Sequence, residues 1–345
     1  MADQLFSTIY GRGLIGELPK IAHPPYYVVT MEDLWFLSEE VWDECLAGTH
    51  FVESLEYEDL ERVVETLPTC NSVIGIGGGR ALDVAKFIAW RRRLPLFQVP
   101  TAMTVNAAFG HRSAVRFQGV VRYIGWAVPE AVYVDYGVIR SAPPLLNRSG
   151  VCDILCYHTA HYDWRLAHER GRCKPQWPYD QRLVDEAAGV LQRVMGKLED
   201  IRDVTDEGIH TLMEGHRWGG AAFHNAGWNP RHIEGAEHFF FYNLEYRTGK
   251  AFIHGQPVCL GIYIISALQD NRAEEMLDAI EWVGVPIRPE DMGLTWDEVA
   301  AALRTLREYV EWAGLWYTVV NDRPITEEFI ERVHERLSQP PKYEV

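Results

Sequence analysis

The feature that most constrains this chain is the run Ile74–Lys86, IGIGGGRALDVAK. A short apolar stretch, Asn71–Ile76, ends in three consecutive glycines and passes without a spacer into a helical pattern over Ala81–Trp90. A strand–turn–helix joint of this kind needs residues that permit a tight turn and let the backbone approach a ligand, and glycine supplies both. The first N–H groups of the helix lack intrahelical partners, and its dipole favours an anion such as a pyrophosphate there. The run is neither GxGxxG nor a P-loop. Three glycines alone serve equally well as a plain strand-to-helix turn. Asp83 and Lys86, one helical turn further on, tilt the reading toward a ligand site.

Residues up to about 145 alternate short β-rich runs with helical ones. Tyr26–Thr30 (YYVVT), Asn71–Ile76, Leu96–Val99 and Ala131–Val134 read as strands, and Glu58–Leu67 and Ala81–Trp90 as helices. That order predicts parallel strands joined by crossover helices. After Pro143-Pro144 the texture becomes helical. Gly150–Ala167, Asp180–Leu198, Glu207–Ala226, Pro257–Gln269, Ala273–Val283, Trp296–Trp312 and Thr326–Leu337 are long and apolar enough for helices, with Asp297 and Thr326 as N-caps. The expected fold is an α/β N-terminal domain with a parallel sheet, residues 1–145, followed by an all-α C-terminal domain, 146–345. A cleft between the two is the expected ligand site.

Forty-nine acidic against 33 basic residues give a net charge of −16, which argues against nucleic-acid or anionic-membrane partners. No apolar run approaches the ~18 residues of a membrane span. The N-terminus MADQLFSTIYGRG lacks a basic-then-apolar leader. The six cysteines form no CxxC pair, which suits a reducing compartment. A cytoplasmic protein with a small-molecule substrate, assembled as a homo-oligomer, is expected.

GGGRALDVAK resembles the GGGSxxDxAK signature of the metal-dependent (iron-containing) alcohol and polyol dehydrogenases, which share a fold with dehydroquinate synthase. Val99-Pro100-Thr101-Ala102 is similar to the VPT segment of that superfamily, and Gly11–Pro19 (GRGLIGELP) fits its start. The resemblance spans roughly residues 10–265. It implies that Gly77, Gly78, Gly79, Arg80 and Asp83 hold the pyrophosphate side of a nicotinamide dinucleotide, NAD or NADP. Thr101, Ala102, Gly110 and Arg112 would line the same cofactor.

The resemblance also singles out three residues among the chain's many histidines and acids. Asp153 opens DILCYHTAHYDW, His238 lies in GAEH, and His254 lies in IHGQ. These are similar to the family's GD(x)L, GSEH and HGE segments, which give Asp, His and His to one divalent metal. The spacings of 85 and 16 residues suit three different helices. One carboxylate and two imidazoles leave a coordination position open, as catalytic zinc sites do. Zinc is the expected ion, with iron or nickel as alternatives. Cys152 and Cys156, which straddle Asp153, read as small buried hydrophobes.

Thr159–Trp164 resembles the TAxxDW stretch of sn-glycerol-1-phosphate dehydrogenases, and Arg231 falls where their SRPASGSEH has arginine. Tyr157 and His161, four and eight residues after Asp153, share its face on a continuous helix and either line the substrate cavity or fill the packing. The loop NAAFGHR, Asn106–Arg112, departs from the family: Asn106 stands where polyol dehydrogenases place Asp. Asn keeps hydrogen-bonding capacity but loses the charge. Asn106, Tyr157, His161 and Arg231 are therefore the candidate catalytic residues. The resemblance implies hydride transfer between nicotinamide and a small alcohol, polyol or polyol phosphate, or the matching ketone or aldehyde. The alternatives are a dehydroquinate synthase-like cyclase or lyase, and a catalytically silent cofactor-binding member of the fold.

Overall fold

The computed structural model describes residues 6–343. Two compact units emerge. One comprises the chain up to Asn147 together with His216–Asn225; the other comprises Arg148–Gly215 and the chain from Ala226 onward. Sequence texture suggests a single break near 145. Residues 216–225 instead group with the first unit, where the His224 ring packs edge-on against His111 with centroids 4.8 Å apart.

The first unit is built on a six-stranded sheet in the order β1-β8-β5-β4-β2-β3. The strands are β1 (Ser7–Gly11), β2 (Tyr26–Thr30), β3 (Leu46–Phe51), β4 (Ser72–Gly77), β5 (Leu96–Pro100) and β8 (Ala131–Asp135), every pair parallel. β6 (Ser113–Phe117) and β7 (Val120–Ile124) form a separate antiparallel hairpin. The four central strands are buried throughout, because helices of parallel sheets cover both faces. That is why they read as largely apolar runs; in β5 the buried Gln98 is polar and donates to the Leu82 carbonyl. The edge strands β1 (STIYG) and β3 (LAGTHF) are half-exposed and carry no such run, so sequence reading passes over them.

The crossover helix Gly79–Arg92 joins β4 to β5 and buries Ala81, Val84, Ala85, Phe87 and Ile88 on one face of the sheet. Ile74, Ile76, Val28 and Val99 point to a second core on the other face.

The second unit is helical. Sequence reading gives Ala273–Val283 and places the Gln181–Met195, Gly255–Gln269 and Glu327–Leu337 helices within a few residues. Thr326 caps the last by accepting from the Phe329 N–H. Asp297 is not a cap: Thr295 caps that helix in a capping box with Glu298, and Asp297 lies in its first turn. The single helix expected over Trp296–Trp312 is broken at Thr305. The one expected over Gly150–Ala167 is split by a turn at Cys156 into Cys152–Leu155 and Tyr157–Glu169. The Ala236–Thr248 helix was not foreseen, because its apolar residues run all round it. It packs on Gly255–Gln269 so closely that a Cβ at Gly261 would lie 2.6 Å from the Glu237 carbonyl oxygen. This contact sets the start of the Ala236–Thr248 helix against the middle of Gly255–Gln269.

Candidate active site

Asp153 comes from the short Cys152–Leu155 helix, His238 from the first turn of Ala236–Thr248, and His254 is the N-cap residue of Gly255–Gln269. The structure brings all three together. Asp153 Oδ1 lies 3.2 Å from His254 Nε2 and 3.9 Å from His238 Nε2. Four ligands at zinc-like distances stand about 3.4 Å from one another in a tetrahedron, and the two separations to Asp153 bracket that spacing; the His238 and His254 rings are 5.5 Å apart, His254 grouping with Cys152 and Asp153 and His238 with Cys156 and Glu237. Asp153 and His238 are 6% exposed.

Glu237 completes the cluster, and sequence reading did not assign it a role. Its Oε1 lies 3.0 Å from His238 Nδ1 and accepts the Gly235 N–H at 2.7 Å. Its Oε2 accepts the Thr159 hydroxyl at 2.7 Å. In the neutral ring, with Nδ1–H donated to Glu237, the lone pair of His238 stands on Nε2, on the Asp153 side. This carboxylate–histidine pairing orients metal-bound imidazoles. The signal was an acidic residue directly before the histidine in GAEH.

Burial pulls the His238 pKa down. The hydrogen bond to Glu237 and the charges of Glu234, Glu237 and Asp153 outweigh it, leaving the group raised to about 9. Burial also pushes the Glu234 carboxyl up, although the Tyr242 hydroxyl donates to it at 2.9 Å. The pocket thus carries buried negative charge that favours a cation, and its nitrogen and oxygen donors fit a divalent transition metal. Cys152 and Cys156 stand within ligand reach. Burial holds both thiols well above their usual pKa, and they donate to Asp153 Oδ1 and to the Ile233 carbonyl.

Tyr157 is fully buried, and its hydroxyl is held protonated by burial and by the nearby Cys156 and Asp153. His161, one turn on, lines a different cavity, and burial lowers its pKa to about 4. Arg231 is 3% exposed; its guanidinium donates to the carbonyls of Tyr317 (2.8 Å) and Asp163 (2.9 Å). Burial lowers its pKa to about 10. The Asp163 side chain accepts from the Ala236 and Val319 N–H groups and from Gln269. Arg231 and Asp163 therefore brace the start of the helix that bears His238.

In the first unit, β4 ends at Gly77 with φ +150°, and Gly78 is the N-cap of the Gly79–Arg92 helix without any side-chain cap. A Cβ on Gly77 would lie 2.8 Å from Ala81 Cβ, and one on Gly79 would lie 2.8 Å from Val105 Cγ2. A Cβ on Gly78 would meet nothing closer than Thr104 Oγ1 at 3.9 Å. The outer two glycines are thus needed for packing, and the middle one faces open space at a helix N-terminus. Thr101 donates its N–H to the Gly77 carbonyl at 3.1 Å, tying the buried Thr101-Ala102 segment to the turn.

The other residues expected around the cofactor have partners within the fold. Arg80 donates to the Glu53 carbonyl at 2.7 Å. Asp83 pairs with buried Lys86 at 2.7 Å, and Lys86 also donates to the Arg112 carbonyl at 2.7 Å. Arg112 donates to the Tyr123 carbonyl at 3.3 Å. The Asp83–Lys86 pair so anchors the end of the Asn106–Arg112 loop to the helix that follows the glycines. Asn106 opens a one-turn 3-10 helix, and its carbonyl accepts the Phe109 and Gly110 N–H groups. No described helix is long and apolar enough to cross a membrane.

A parallel sheet ending in a glycine turn, with a separate helical unit that gathers one Asp and two His, defines a class of metal- and dinucleotide-dependent enzymes. A family profile described as iron-containing alcohol dehydrogenase matches residues 40–143. The glycerol-1-phosphate dehydrogenase [NAD(P)+] of Thermofilum pendens is 30% identical over 315 residues, covering 87% of this chain and 89% of that protein. The fold is shared with a probable glycerol dehydrogenase from Sinorhizobium meliloti (TM-score 0.74, 18% identity, 97% of this chain and 98% of that one). It is also shared with 2-epi-5-epi-valiolone synthase from Streptomyces hygroscopicus, solved with NAD+ and Zn2+ bound (TM-score 0.67, 18% identity, 98% of each chain). The chain belongs to the iron-containing alcohol dehydrogenase superfamily.

Proposed function

We propose that this protein is an NAD(P)-dependent, divalent-metal oxidoreductase acting on a small polyol phosphate of the glycerol 1-phosphate kind, or on the matching ketone. The observation that carries the reading is the convergence of Asp153, His238 and His254, with Glu237 holding the His238 tautomer. It stands in a chain similar over most of its length to a glycerol-1-phosphate dehydrogenase. When bound, a divalent ion acts as a Lewis acid on a hydroxyl or carbonyl oxygen, and the nicotinamide exchanges the hydride.

The chain's own residues then have distinct tasks. Asp153, His238 and His254 hold the ion, and Glu237 fixes the imidazole that faces Asp153. The N–H groups after Gly78 receive the pyrophosphate. Tyr157 keeps its proton beside Asp153 and serves as a hydrogen-bond donor there. Asn106 offers a ligand an amide that can donate where an aspartate only accepts. Met31 follows Thr30, where NAD-preferring members of the family often carry Asp; it brings no charge to repel a 2′-phosphate, so NADP is expected to be tolerated beside NAD.

The test compares glycerol, glycerol 1-phosphate and small hydroxy acids on wild type and on Asn106→Asp. Wild type is expected to favour a substrate with phosphate or carboxylate, and the variant to shift toward plain glycerol. Preference for unmodified glycerol in both forms contradicts the assignment of Asn106.

A further inference from the structure

Three thiols crowd the acid of the metal cluster. Cys152, Cys156 and Cys259 are fully buried, and the charge of Asp153 acts on each of them. They are not equivalent. Cys156 Sγ donates to the Ile233 main-chain carbonyl at 3.0 Å. Cys152 Sγ instead donates to Asp153 Oδ1 at 3.3 Å. That same oxygen faces His254 Nε2 at 3.2 Å and His238 Nε2 at 3.9 Å. One carboxylate oxygen therefore has a sulfur and two imidazole nitrogens around it.

A hydrogen bond between sequence neighbours accounts for the sulfur–oxygen contact alone. It does not account for His254, which lies 101 residues beyond Asp153. Ligand atoms of Cys152, Asp153 and His254 all lie within 4.8 Å of one another. The backbone enforces this meeting. Gly255, directly after His254, sits so close to the segment leading into Cys152 that a Cβ there would run into the Ser149 carbonyl. With zinc bonds of about 2.3 Å to sulfur and 2.0–2.2 Å to oxygen, the sulfur–oxygen edge of a tetrahedral site is about 3.6 Å. The 3.3 Å separation of Cys152 Sγ and Asp153 Oδ1 is close to that edge.

We infer that Cys152 is a fourth metal donor beside Asp153, His238 and His254, and that its sulfur biases the site toward thiophilic ions, zinc or cadmium, over manganese or magnesium. The inference rests on the three-ligand reading proposed above and adds a residue to it. A thiol that coordinates gives up its proton to the charge of the ion. The Sγ–H bond to Asp153 is then exchanged for a bond to the ion the two side chains share. Zinc sites expand to five ligands, so the sulfur still leaves room for a substrate oxygen.

The test loads the full-length protein with Co2+ alone and reads its absorption. Cobalt in a tetrahedral site gives visible ligand-field bands with any of these donors, and a cobalt–thiolate bond adds a charge-transfer band in the near ultraviolet. Wild type is expected to show both. Cys152→Ser is expected to keep the visible bands and lose the charge-transfer band, whereas Cys156→Ser and Cys259→Ala keep both. In competition with a chelator, Cys152→Ser is expected to lower Cd2+ affinity about tenfold or more and Mn2+ affinity by less than roughly threefold, a split that a merely structural role would not give. X-ray absorption of the zinc-loaded wild type needs no variant to fold, and a sulfur neighbour at about 2.3 Å is expected. Four results overturn the role of Cys152 and leave the other ligands standing: visible bands without charge transfer in wild type, a charge-transfer band that survives Cys152→Ser or follows Cys156 or Cys259, equal losses for Cd2+ and Mn2+, or a zinc shell of nitrogen and oxygen alone. Failure of the wild type to bind cobalt at all overturns the three-ligand reading, and this inference with it.

Discussion

The two units build their ligand sites by opposite means. At the glycine turn the chain removes side chains: Gly78 faces open space, no side chain caps the helix, and what a ligand would meet there is backbone N–H. At the metal cluster the chain does the reverse and crowds side chains. Buried Asp153 and Glu237 and half-buried Glu234 gather around one histidine, and their charges favour a cation there. A site made of shape is broken by adding atoms, and a site made of charge is broken by removing them. The units are therefore expected to fail independently.

The largest effect is expected from His238→Ala. It removes one of the three proposed ligands, so metal affinity is expected to fall by more than the roughly 100-fold that loss of an outer-shell partner gives, and activity with it. Dinucleotide binding, measured by fluorescence titration, is expected to stay within twofold. Stoichiometric metal in the purified variant contradicts the ligand assignment. Glu237→Gln sharpens the point. It keeps the shape and removes the charge opposite Nδ1, and a loss in metal affinity of about 10–100-fold is expected in a competition titration with a chelator.

The counterpart in the first unit is Gly78→Val. Gly78 has an extended backbone that valine adopts readily, so the fold is expected to persist. The side chain would occupy the space at the helix N-terminus. NAD(H) and NADP(H) affinity is expected to fall at least tenfold, about 1.4 kcal/mol, with metal content unchanged. Unaltered dinucleotide binding places the cofactor elsewhere. In the wild type, the NAD-to-NADP ratio of kcat/KM is expected to stay below about a thousandfold, roughly 4 kcal/mol.

These contrasts explain what could be read in advance. The central strands announced themselves because double-sided burial demands continuous apolar runs such as YYVVT and AVYV. The glycine turn and Asp153, His238 and His254 were legible as segments that resemble known motifs, although periodicity alone gives them no reason to meet. β1 and β3 escaped because edge strands have one neighbour and tolerate glycine and polar residues. The engagement of Arg80, Asp83 and Arg231 with partners inside the fold was also hidden. Nothing in the sequence says that Arg231 will meet the Tyr317 carbonyl 86 residues away.

A further effect concerns pH and touches both units alike. Burial lowers the pKa of His111 in the first unit to about 3, and of His161 and His232 in the second to about 4 and 3. The unfolded chain binds protons on these groups near pH 6.5 while the folded protein refuses them. The stability from keeping them neutral is thus complete above pH 6.5 and is lost as pH falls toward 4. At pH 5 each histidine accounts for about 2 kcal/mol of that loss. Thermal melts between pH 7 and pH 4.5 are expected to show a falling Tm, with a shallower fall in His111→Gln or His232→Gln. A Tm that is flat over that range contradicts burial of these rings in the neutral form.

The central claim is that one metal-dependent centre carries out net hydride transfer. The fold also serves a synthase solved with NAD+ bound, so the count of reduced nicotinamide decides. The direct measurement follows NAD(P)H absorbance and ketone formation together, with metal-loaded protein, NAD(P)+ and glycerol 1-phosphate. One reduced nicotinamide is expected for each alcohol oxidised, abolished by chelator and by His238→Ala. Substrate conversion with no net nicotinamide reduction, or oxidation at full rate after the metal is stripped, would contradict it.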